Sequence, residues 1–325
     1  MPIVGNQDFN PSSQKIHQCM NQTGTEEKKQ IIFVGREPHW TLDEIILNDE
    51  TKNQLNDAVV YLRKKKTIVE EWNLKRFLKG GRGCTGINMY GKPGTGKSIA
   101  AEAIAKAAGM KIIKVDYSEI QNEKWGGTER QLTTLFKNAS DTDSIIFFDE
   151  ADSLLGKRQS EGANSETNNQ IKAHLLTLLD EYDVVVLFAT NLFENYDRAF
   201  FRRILFHISF PLPSKNELNR LWQFHLGSEE DTNKVPRSVN FSFDKLAEDS
   251  DGLSGGDVKN ITLKTCIHLV SQNVNELTND IVFNEIGRYK KSLRDIDGSS
   301  KTSYCRTLKG EEAKRAKELM DTHVK

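Results

Sequence analysis

The segment Gly91-Lys92-Pro93-Gly94-Thr95-Gly96-Lys97-Ser98 constrains this chain most, because it fits the pattern GxxxxGK[ST]. It follows a short apolar run at 87–90 and precedes an alanine-rich stretch, 99–108, that stops at Gly109. A strand, a glycine-rich loop and a helix in this order are typical of α/β proteins. Backbone N–H groups of such a loop can surround a phosphate. The segment therefore predicts a phosphate-binding loop, in which Lys97 reaches the phosphates and Ser98 offers a hydroxyl to Mg²⁺.

Three further apolar runs, bounded by turn residues, lie at 112–115, 145–148 and 184–188. Helical stretches separate them, so we predict buried strands of a parallel sheet. From about Ser214 onward only helical periods recur. The expected fold class is therefore α/β, with a parallel P-loop sheet followed by a small α-helical domain.

A basic stretch follows a predicted helix near the start of the chain. The helix is indicated by apolar residues at helical spacing between Trp40 and Leu62. Between Tyr61 and Gly83 there are eight basic and two acidic residues, a net +6 (8 − 2). A solvated surface and a nucleic-acid contact both fit this stretch, although few aromatic residues interleave it. The whole chain carries a net charge of −1, which disfavours a general binder of nucleic acid or anionic membrane.

The cysteines and the apolar runs indicate the cellular setting. Four cysteines are scattered without a CxxC pair, which indicates neither a disulfide framework nor a zinc site: Cys19, Cys84, Cys266 and Cys305. No apolar run approaches the length that spans a bilayer, and the N-terminus lacks a basic region followed by an apolar one. We therefore expect reduced thiols, no membrane span and a cytoplasmic location.

Two carboxylates, Asp149 and Glu150, follow the apolar run 145–148, and Asp149 stands 52 residues after Lys97 (149 − 97). We expect Asp149 to hold Mg²⁺. If strand geometry continues, Glu150 points away from Asp149 and is placed to polarise an attacking water. The acidic pair could instead cap the strand or begin the next helix, but the earlier phosphate-binding loop favours nucleotide chemistry.

Asn191 follows the run 184–188 at the end of a predicted strand, where open α/β sheets place groups that contact ligands. Its amide could orient water or a γ-phosphate, or Asn191 could be an ordinary turn residue. Arg202 and Arg203 follow it by 11 and 12 residues (202 − 191 and 203 − 191). A solvated face and a charge clamp on phosphate both fit this arginine pair.

Taken together, the blocks GKPGTGKS, IIFFDE, FATN, AFFRR with ISFPLP, and GLSGGDVKN resemble the classical AAA family of ATPases, in the single-module type represented by spastin and katanin. The resemblance covers roughly residues 40–290. It implies a RecA-like domain with a helical lid, usually assembled as a hexameric ring with ATP and Mg²⁺ at subunit interfaces. The expected domains are a mobile tail (1–38), the large ATPase domain (39–213), the helical lid (214–297) and a C-terminal tail with a charged helix (298–325).

The resemblance also assigns roles by position. Lys97 and Ser98 match the Walker A pair, and Asp149 and Glu150 match the Walker B pair. Ser98 and Asp149 would hold the metal. The residues expected to bind ATP are Glu44, Ile45, Ile46, Lys92, Pro93, Gly94, Thr95, Gly96, Lys97, Ser98, Ile99, Asp149, Gly255 and Gly256.

Three further assignments concern the ends of the site. Asn191 resembles sensor 1, and Arg202 and Arg203 match the arginine fingers that act on the nucleotide of the neighbouring subunit. The segment 254–257 matches a lid motif that lacks the sensor 2 arginine, and Lys259 is a candidate replacement for it. His207, in a stretch more apolar than the family usually has, is expected to be structural.

Lys124 and Trp125 stand where the family has an aromatic pore loop, although this loop is one residue shorter. Trp125 fits the aromatic residue that grips substrate, and a core tryptophan at a turn is the other interpretation. No HExxH motif occurs, which excludes the metalloprotease branch. Residues 1–38 are too short for a recognition domain, so substrate choice is expected to depend on the tail, the ring surface or an adaptor protein.

The function predicted from these features is that of an ATP-hydrolysing ring motor that remodels or unfolds a protein partner. The alternative is an ATP-gated switch or loader that controls a protein or nucleic-acid complex without threading. The basic stretch and the shortened loop favour the alternative, whereas Trp125 favours the motor.

Overall fold

The computed structural model describes residues 33–74, 85–116, 127–157, 165–191, 196–228, 230–231 and 234–302. The predicted N-terminal tail lies outside the described residues up to position 32, and the predicted C-terminal tail lies outside them from position 303. Lys124 and Trp125 of the predicted pore loop also lie outside them, as does the end of the basic stretch from residue 75.

Five strands form a sheet in which every hydrogen-bonded neighbour is parallel. The strands are β1 (Thr85–Gly91), β2 (Lys111–Asp116), β3 (Ser144–Asp149), β4 (Val185–Thr190) and β5 (Ile204–Phe210). Their order across the sheet is β2-β3-β4-β1-β5, so β1 and its loop lie inside the sheet rather than at an edge. The four strands predicted from apolar runs and the parallel sheet are therefore confirmed.

Helices connect and follow the strands. They are α1 (Asp49–Lys66), α2 (Lys97–Ala108), α3 (Gly127–Asp141), α4 (Asp152–Leu155), α5 (Ser165–Glu181), α6 (Arg198–Phe201), α7 (Lys215–Leu226), α8 (Phe243–Asp249), α9 (Gly255–Ser271) and α10 (Asn279–Thr302), and a π-helical turn, Thr67–Glu71, extends α1. None of these described helices is both long enough and apolar enough to cross a membrane.

The two faces of the sheet bury alternate residues of the same strand. In β3, Ile145 and Phe147 pack with residues of α1 and α2, whereas Ile146 and Phe148 pack with residues of α3 and α5. Successive side chains of a strand point to opposite faces, so a strand covered on both faces needs an unbroken apolar run. This is why β3 could be recognised from its composition alone.

Strand β5 was not predicted. Within the described sheet it pairs with β1 alone, at one edge, and of its seven residues Ile204, Ile208 and Phe210 are buried. His207 and Ser209 therefore interrupt its apolar residues. An edge strand has less surface to cover than a central one, and its sequence gives a weaker signal.

The helix prediction is wrong for residues 40–48, because α1 begins at Asp49. The side-chain oxygen of Asn48 accepts a hydrogen bond of 2.7 Å from the backbone N–H of Thr51, and so caps the first turn. The preceding segment is irregular, and within it Ile45 is buried against the core on the α1 and α2 face. The apolar residues of this segment thus fit a helical period but belong to a loop that packs against the core.

A separate core cluster forms among helices α7 to α10, which agrees with the expected helical part after the sheet. Ser214 precedes α7, and its backbone N–H donates to the Glu217 carboxylate, in the third position of the helix, at 2.7 Å. Trp222 is fully buried and donates from Nε1 to Ser250 Oγ at 2.9 Å. Helix α10 runs past residue 297, where the sequence places the end of the lid. The domain boundaries stay predictions.

Asn88 offers a test of the core. It lies in β1 opposite Phe188 and His207, is fully buried, and among the described residues neither side-chain amide atom has a hydrogen-bond partner. An unsatisfied buried polar group costs about 1–3 kcal/mol. We expect Asn88→Leu, which keeps the number and branching of the side-chain heavy atoms, to raise the free energy of unfolding by roughly that amount in urea titration.

The neighbouring substitution Met89→Leu is the control, because a volume-conserving apolar swap should change the free energy of unfolding by less than about 1.5 kcal/mol. A larger loss of stability in Asn88→Leu than in this control would show that the amide has a partner that stabilises the fold.

Candidate functional site

A cavity of about 440 Å³ opens where strands β1, β3 and β4 end. Its volume lies within the range of about 300–1,000 Å³ typical of small-molecule sites, and the carboxyl ends of parallel strands are where such sites form. Helical residues after position 214 close its other side. Residues that line it include Trp40, 44–48, 93–99, Asp149, Glu150, Asn191, Leu221, Phe224, His225, Gly255, Gly256 and Lys259.

Lys97 lines this cavity and is bonded to two of its other parts. Its ammonium Nζ donates to the carbonyl oxygens of Gly91 (2.7 Å) and Lys92 (2.9 Å) and to Asn191 Oδ1 (2.8 Å). The residue is only 8% exposed. Burial lowers the pKa of the Lys97 ammonium below its usual value, and the carboxylates of Asp152 and Asp149 oppose that shift. A buried cation at the start of a helix is suited to an anionic ligand.

The donor set beside Lys97 fits a Mg²⁺ ion. Ser98 Oγ donates to Asp149 Oδ2 at 3.1 Å, so a hydroxyl and a carboxylate oxygen already lie together. Asp149 Oδ1 in turn accepts from the backbone N–H of Glu150 at 3.1 Å. Hydroxyl and carboxylate oxygens are the hard ligands that Mg²⁺ prefers. The structure thus brings together the two residues predicted to hold the metal.

Glu150 differs from its expected geometry. Strand β3 ends at Asp149, and Glu150 adopts a φ of 51°, in the left-handed region. The expectation that strand geometry continues and turns Glu150 away from Asp149 is therefore wrong. Glu150 is exposed and lines the cavity, so its carboxylate remains open to solvent at the mouth of the site. A non-glycine residue with positive φ is uncommon, and such residues concentrate at functional sites.

Asn191 links three parts of the site. Its side-chain oxygen accepts from Lys97, and its backbone N–H donates to Asp152 Oδ1 at 2.9 Å. Ala151, next to Asp152, donates its own backbone N–H to the carbonyl of Ala189 at 2.8 Å. The end of β4 is therefore tied both to the phosphate-binding loop and to the residues that follow β3.

Gly94 connects the phosphate-binding loop to the helical part. The backbone N–H of Gly256, near the start of α9, donates to the carbonyl of Gly94 at 2.9 Å. Ser254 caps α9, and its side chain lies against Gly94 so closely that a Cβ on Gly94 would overlap Ser254 Oγ. Gly94 also has a φ of +77°, which favours glycine. The two parts of the fold thus share one wall of the cavity.

The segment 44–46, which the resemblance to the AAA family assigns to ATP binding, also reaches the cavity. Glu44, Ile45 and Ile46 all line it. The Glu44 carboxylate accepts hydrogen bonds from the backbone N–H and the hydroxyl of Thr41 at 2.7 and 2.8 Å, and these bonds lower the pKa of Glu44. Because that carboxylate is already bonded to its own turn, the segment offers chiefly apolar surface to a ligand.

Sequence reasoning missed several residues of the wall. Phe224 and His225 of α7 line the cavity, as does Trp40. Burial lowers the pKa of His225, and the charge of Lys259 adds to this effect. The core residues of α7 recur at 218, 222 and 226, whereas Leu221, Phe224 and His225 form a second row beside them that reaches the cavity, although Leu221 also packs against the core. That second row was the available signal.

Some predicted residues lie elsewhere. The side chain of Lys92 is exposed and is not part of the cavity wall, although its carbonyl accepts from Lys97. Arg202 and Arg203 do not line the cavity of their own chain. Arg203 forms a two-pronged ion pair with Asp180, at 2.9 and 3.0 Å, whereas Arg202 is exposed. Lys124 and Trp125 lie outside the described residues.

Comparisons with known proteins agree with this geometry. Residues 87–212 match the model of the ATPase family associated with various cellular activities (AAA). The outer mitochondrial transmembrane helix translocase of Homo sapiens is 31% identical over 251 residues, which are 74% of this chain and 65% of that protein. The mitochondrial sorting homolog of Caenorhabditis elegans is 32% identical over 182 residues, 54% of this chain and 51% of that protein.

A third relative also matches this chain. The cell division cycle protein 48 homolog of Archaeoglobus fulgidus is 31% identical over 208 residues, 62% of this chain and 27% of that protein. This chain spans between about half and about two thirds of the mitochondrial relatives that it matches. The expected kinship with spastin and katanin stays a prediction.

Gly94 gives a direct test of the cavity. A side chain there would overlap Ser254 Oγ, and overpacking of this kind costs about 1–3 kcal/mol. We expect Gly94→Ala to weaken binding of a fluorescent ATP analogue roughly tenfold, because about 1.4 kcal/mol corresponds to a factor of ten. Fluorescence titration measures the effect.

Gly109→Ala is the matched control. Gly109 has a nearly equal φ of +73° but no atom within 4 Å of an added Cβ. Both substitutions carry the left-handed penalty of about 1–2 kcal/mol in stability, yet Gly109→Ala should leave nucleotide affinity unchanged. Equal loss of affinity in the two variants would contradict the assignment of the cavity as the nucleotide site.

Proposed function

This chain carries the classical ATPase domain of the AAA family, and on that premise we propose that it hydrolyses ATP as a ring of identical subunits and remodels a protein partner. The observation that carries the proposal is the buried Lys97 ammonium, held beside the Ser98 and Asp149 oxygens. Those groups match a triphosphate and its metal in charge and in type of donor. A ring of six copies, with ATP at each interface, is part of the proposal.

The chemistry divides among residues of this chain. Lys97 and the backbone N–H groups of the loop would hold the β- and γ-phosphates, and Ser98 and Asp149 would hold Mg²⁺. When bound, Mg²⁺ supplies a Lewis acid that neutralises charge on the phosphate oxygens. Glu150, exposed at the mouth of the cavity, accepts the proton of the attacking water, while Asn191 orients that water.

Glu150→Gln separates binding from hydrolysis. The amide keeps the size of the side chain but cannot accept the proton, so we expect turnover to fall about 10²- to 10⁴-fold, with ATP affinity retained. Phosphate release and analogue binding measure the two effects. In ATP, the variant should also retain a protein partner in a pull-down from the source cells, because it stalls before hydrolysis.

Glu276→Gln is the control for this substitution, since Glu276 is exposed and lies outside the cavity wall. Near-normal hydrolysis by Glu150→Gln would remove Glu150 from the role of general base.

The arginine pair divides into two roles. Arg203 is held in its own subunit by Asp180 and donates from Nη1 to the carbonyl of Ala199 at 3.1 Å. All three guanidinium nitrogens of Arg203 therefore already donate a hydrogen bond within its own subunit. We therefore assign the trans-acting arginine finger to the exposed Arg202, with Arg203 bracing the turn that carries it.

Arg202→Ala should lower turnover about 10³-fold or more, as the loss of an arginine finger does. Mixing it with Lys97→Ala protein should restore part of the activity, because the hybrid interface joins an intact Lys97 to an intact Arg202. Arg198→Ala is the control, because Arg198 is an exposed arginine at the start of α6, the short helix that ends just before Arg202. The assignment is contradicted if mixing with Lys97→Ala protein never restores ATP hydrolysis to Arg202→Ala. It is also contradicted if Arg202→Ala hydrolyses ATP by itself, while Arg203→Ala is inactive, keeps full thermal stability and regains hydrolysis on mixing.

A protein partner is favoured over nucleic acid as the substrate. One relative is named as a translocase of transmembrane helices, which are protein segments. The chain has a net charge of −1, and in the described part of the basic stretch Arg63 and Lys65 already contact the Ala107 carbonyl and Asp183. The switch or loader remains the alternative, and the cytoplasmic location stays a prediction.

A further inference from the structure

Lys114 makes a contact that none of the AAA motifs includes. It lies on β2, beside the strand that ends in Asp149. Its ammonium Nζ is 2.7 Å from Asp149 Oδ2, the same oxygen that accepts from Ser98 Oγ. A cation of the protein itself is therefore bound to the carboxylate oxygen that, with the Ser98 hydroxyl, fits Mg²⁺.

The register of the sheet explains how Lys114 reaches this carboxylate. Lys114 stands opposite Phe147, and Asp116 stands opposite Asp149. Because alternate residues of a strand share a face, Lys114 and both aspartates lie on one side of the sheet. The ammonium lies over the ring of Phe147, 5.8 Å from its centroid, on the way to Asp149. Like charges placed opposite each other on neighbouring strands repel, and the ammonium offsets this repulsion.

This ion pair is weak enough for another cation to replace Lys114 at Asp149. The side chain of Lys114 is 47% exposed and that of Asp149 is 25% exposed, so solvent reaches both. A fully buried pair would be costly to break, whereas a partly exposed pair shifts an equilibrium by no more than about fivefold. A divalent cation can therefore displace the lysine from Asp149.

We propose that Lys114 is a built-in counter-cation of the nucleotide site. It neutralises Asp149 when Mg²⁺ is absent, and it competes with Mg²⁺ for that carboxylate. Lys114 thereby sets the Mg²⁺ concentration at which the site binds ATP tightly. It is a positioning residue that acts through Asp149, and the inference rests on the proposed ATP site.

The test is a titration of free Mg²⁺ with the full chain and a fixed, subsaturating amount of the fluorescent analogue mant-ATP. Lys114→Met removes the competing charge and keeps the length of the side chain, so the half-saturating Mg²⁺ concentration should fall about 2- to 5-fold. In EDTA the same variant should bind mant-ATP more weakly than the unsubstituted chain, because Asp149 then faces the triphosphate without a counter-charge. Lys114→Gln is a second uncharged variant and should behave alike.

Two controls test whether the effect depends on the positive charge at position 114. One variant keeps that charge, and the other removes the charge of a different lysine on the same strand. Lys114→Arg retains a cation and should not lower the Mg²⁺ requirement. Lys111→Met removes a lysine from the same strand, where its ammonium lies 3.7 Å from the exposed Glu37, and should leave the requirement unchanged.

The result that overturns the inference is an unchanged or raised Mg²⁺ requirement in Lys114→Met and Lys114→Gln, or an equal fall in Lys111→Met. If these variants behave so while the unsubstituted chain binds mant-ATP with Mg²⁺, the proposed ATP site stands and only the role of Lys114 fails. If the unsubstituted chain binds no mant-ATP, both the site and this role are wrong.

Discussion

The buried ammonium of Lys97 is the interaction on which the rest of the site depends. A charge that is only 8% exposed would be expensive without partners, and two loop carbonyls and the Asn191 amide supply them. These bonds draw the loop after β1 and the end of β4 to one point. The loop is therefore fixed by bonds within the protein, and a preorganised site loses less free energy in ordering its side chains.

A second constraint joins the sheet to the helices beyond it. The sheet and the C-terminal helices bury separate cores, yet the Gly94 carbonyl accepts from Gly256 at 2.9 Å, and Ser254 packs against the same glycine. The loop that would hold phosphate is thus also the contact point of the second core. In the proposed function, binding and release of a nucleotide at this point would change how firmly the helical part is held, and this would couple hydrolysis to work on a partner.

A structural feature could be predicted from the sequence where residues close together in the chain determine it. The glycine-rich loop and the doubly covered strands could be predicted because their composition follows from their own geometry. The edge strand β5 could not, since it depends on having a single neighbour in the sheet. The start of α1 had a local signal, the Asn48 cap, but the apolar residues of 40–48 imitate a helical period because Ile45 packs on the core. Most of the residues predicted to bind ATP line one cavity, but the positive φ of Glu150 and the pairing of Lys114 with Asp149 arise from tertiary context. No periodic pattern encodes a contact between residues of different strands.

The central claim is that ATP binds between the phosphate-binding loop and the start of α9, and so bridges the two cores. Amide hydrogen exchange of the full chain, with and without Mg²⁺ and the slowly hydrolysed analogue ATPγS, tests this most directly. The account predicts slower exchange at both 94–98 and 254–257 when the analogue is present. Slower exchange in only one of these segments, or in neither, would contradict it.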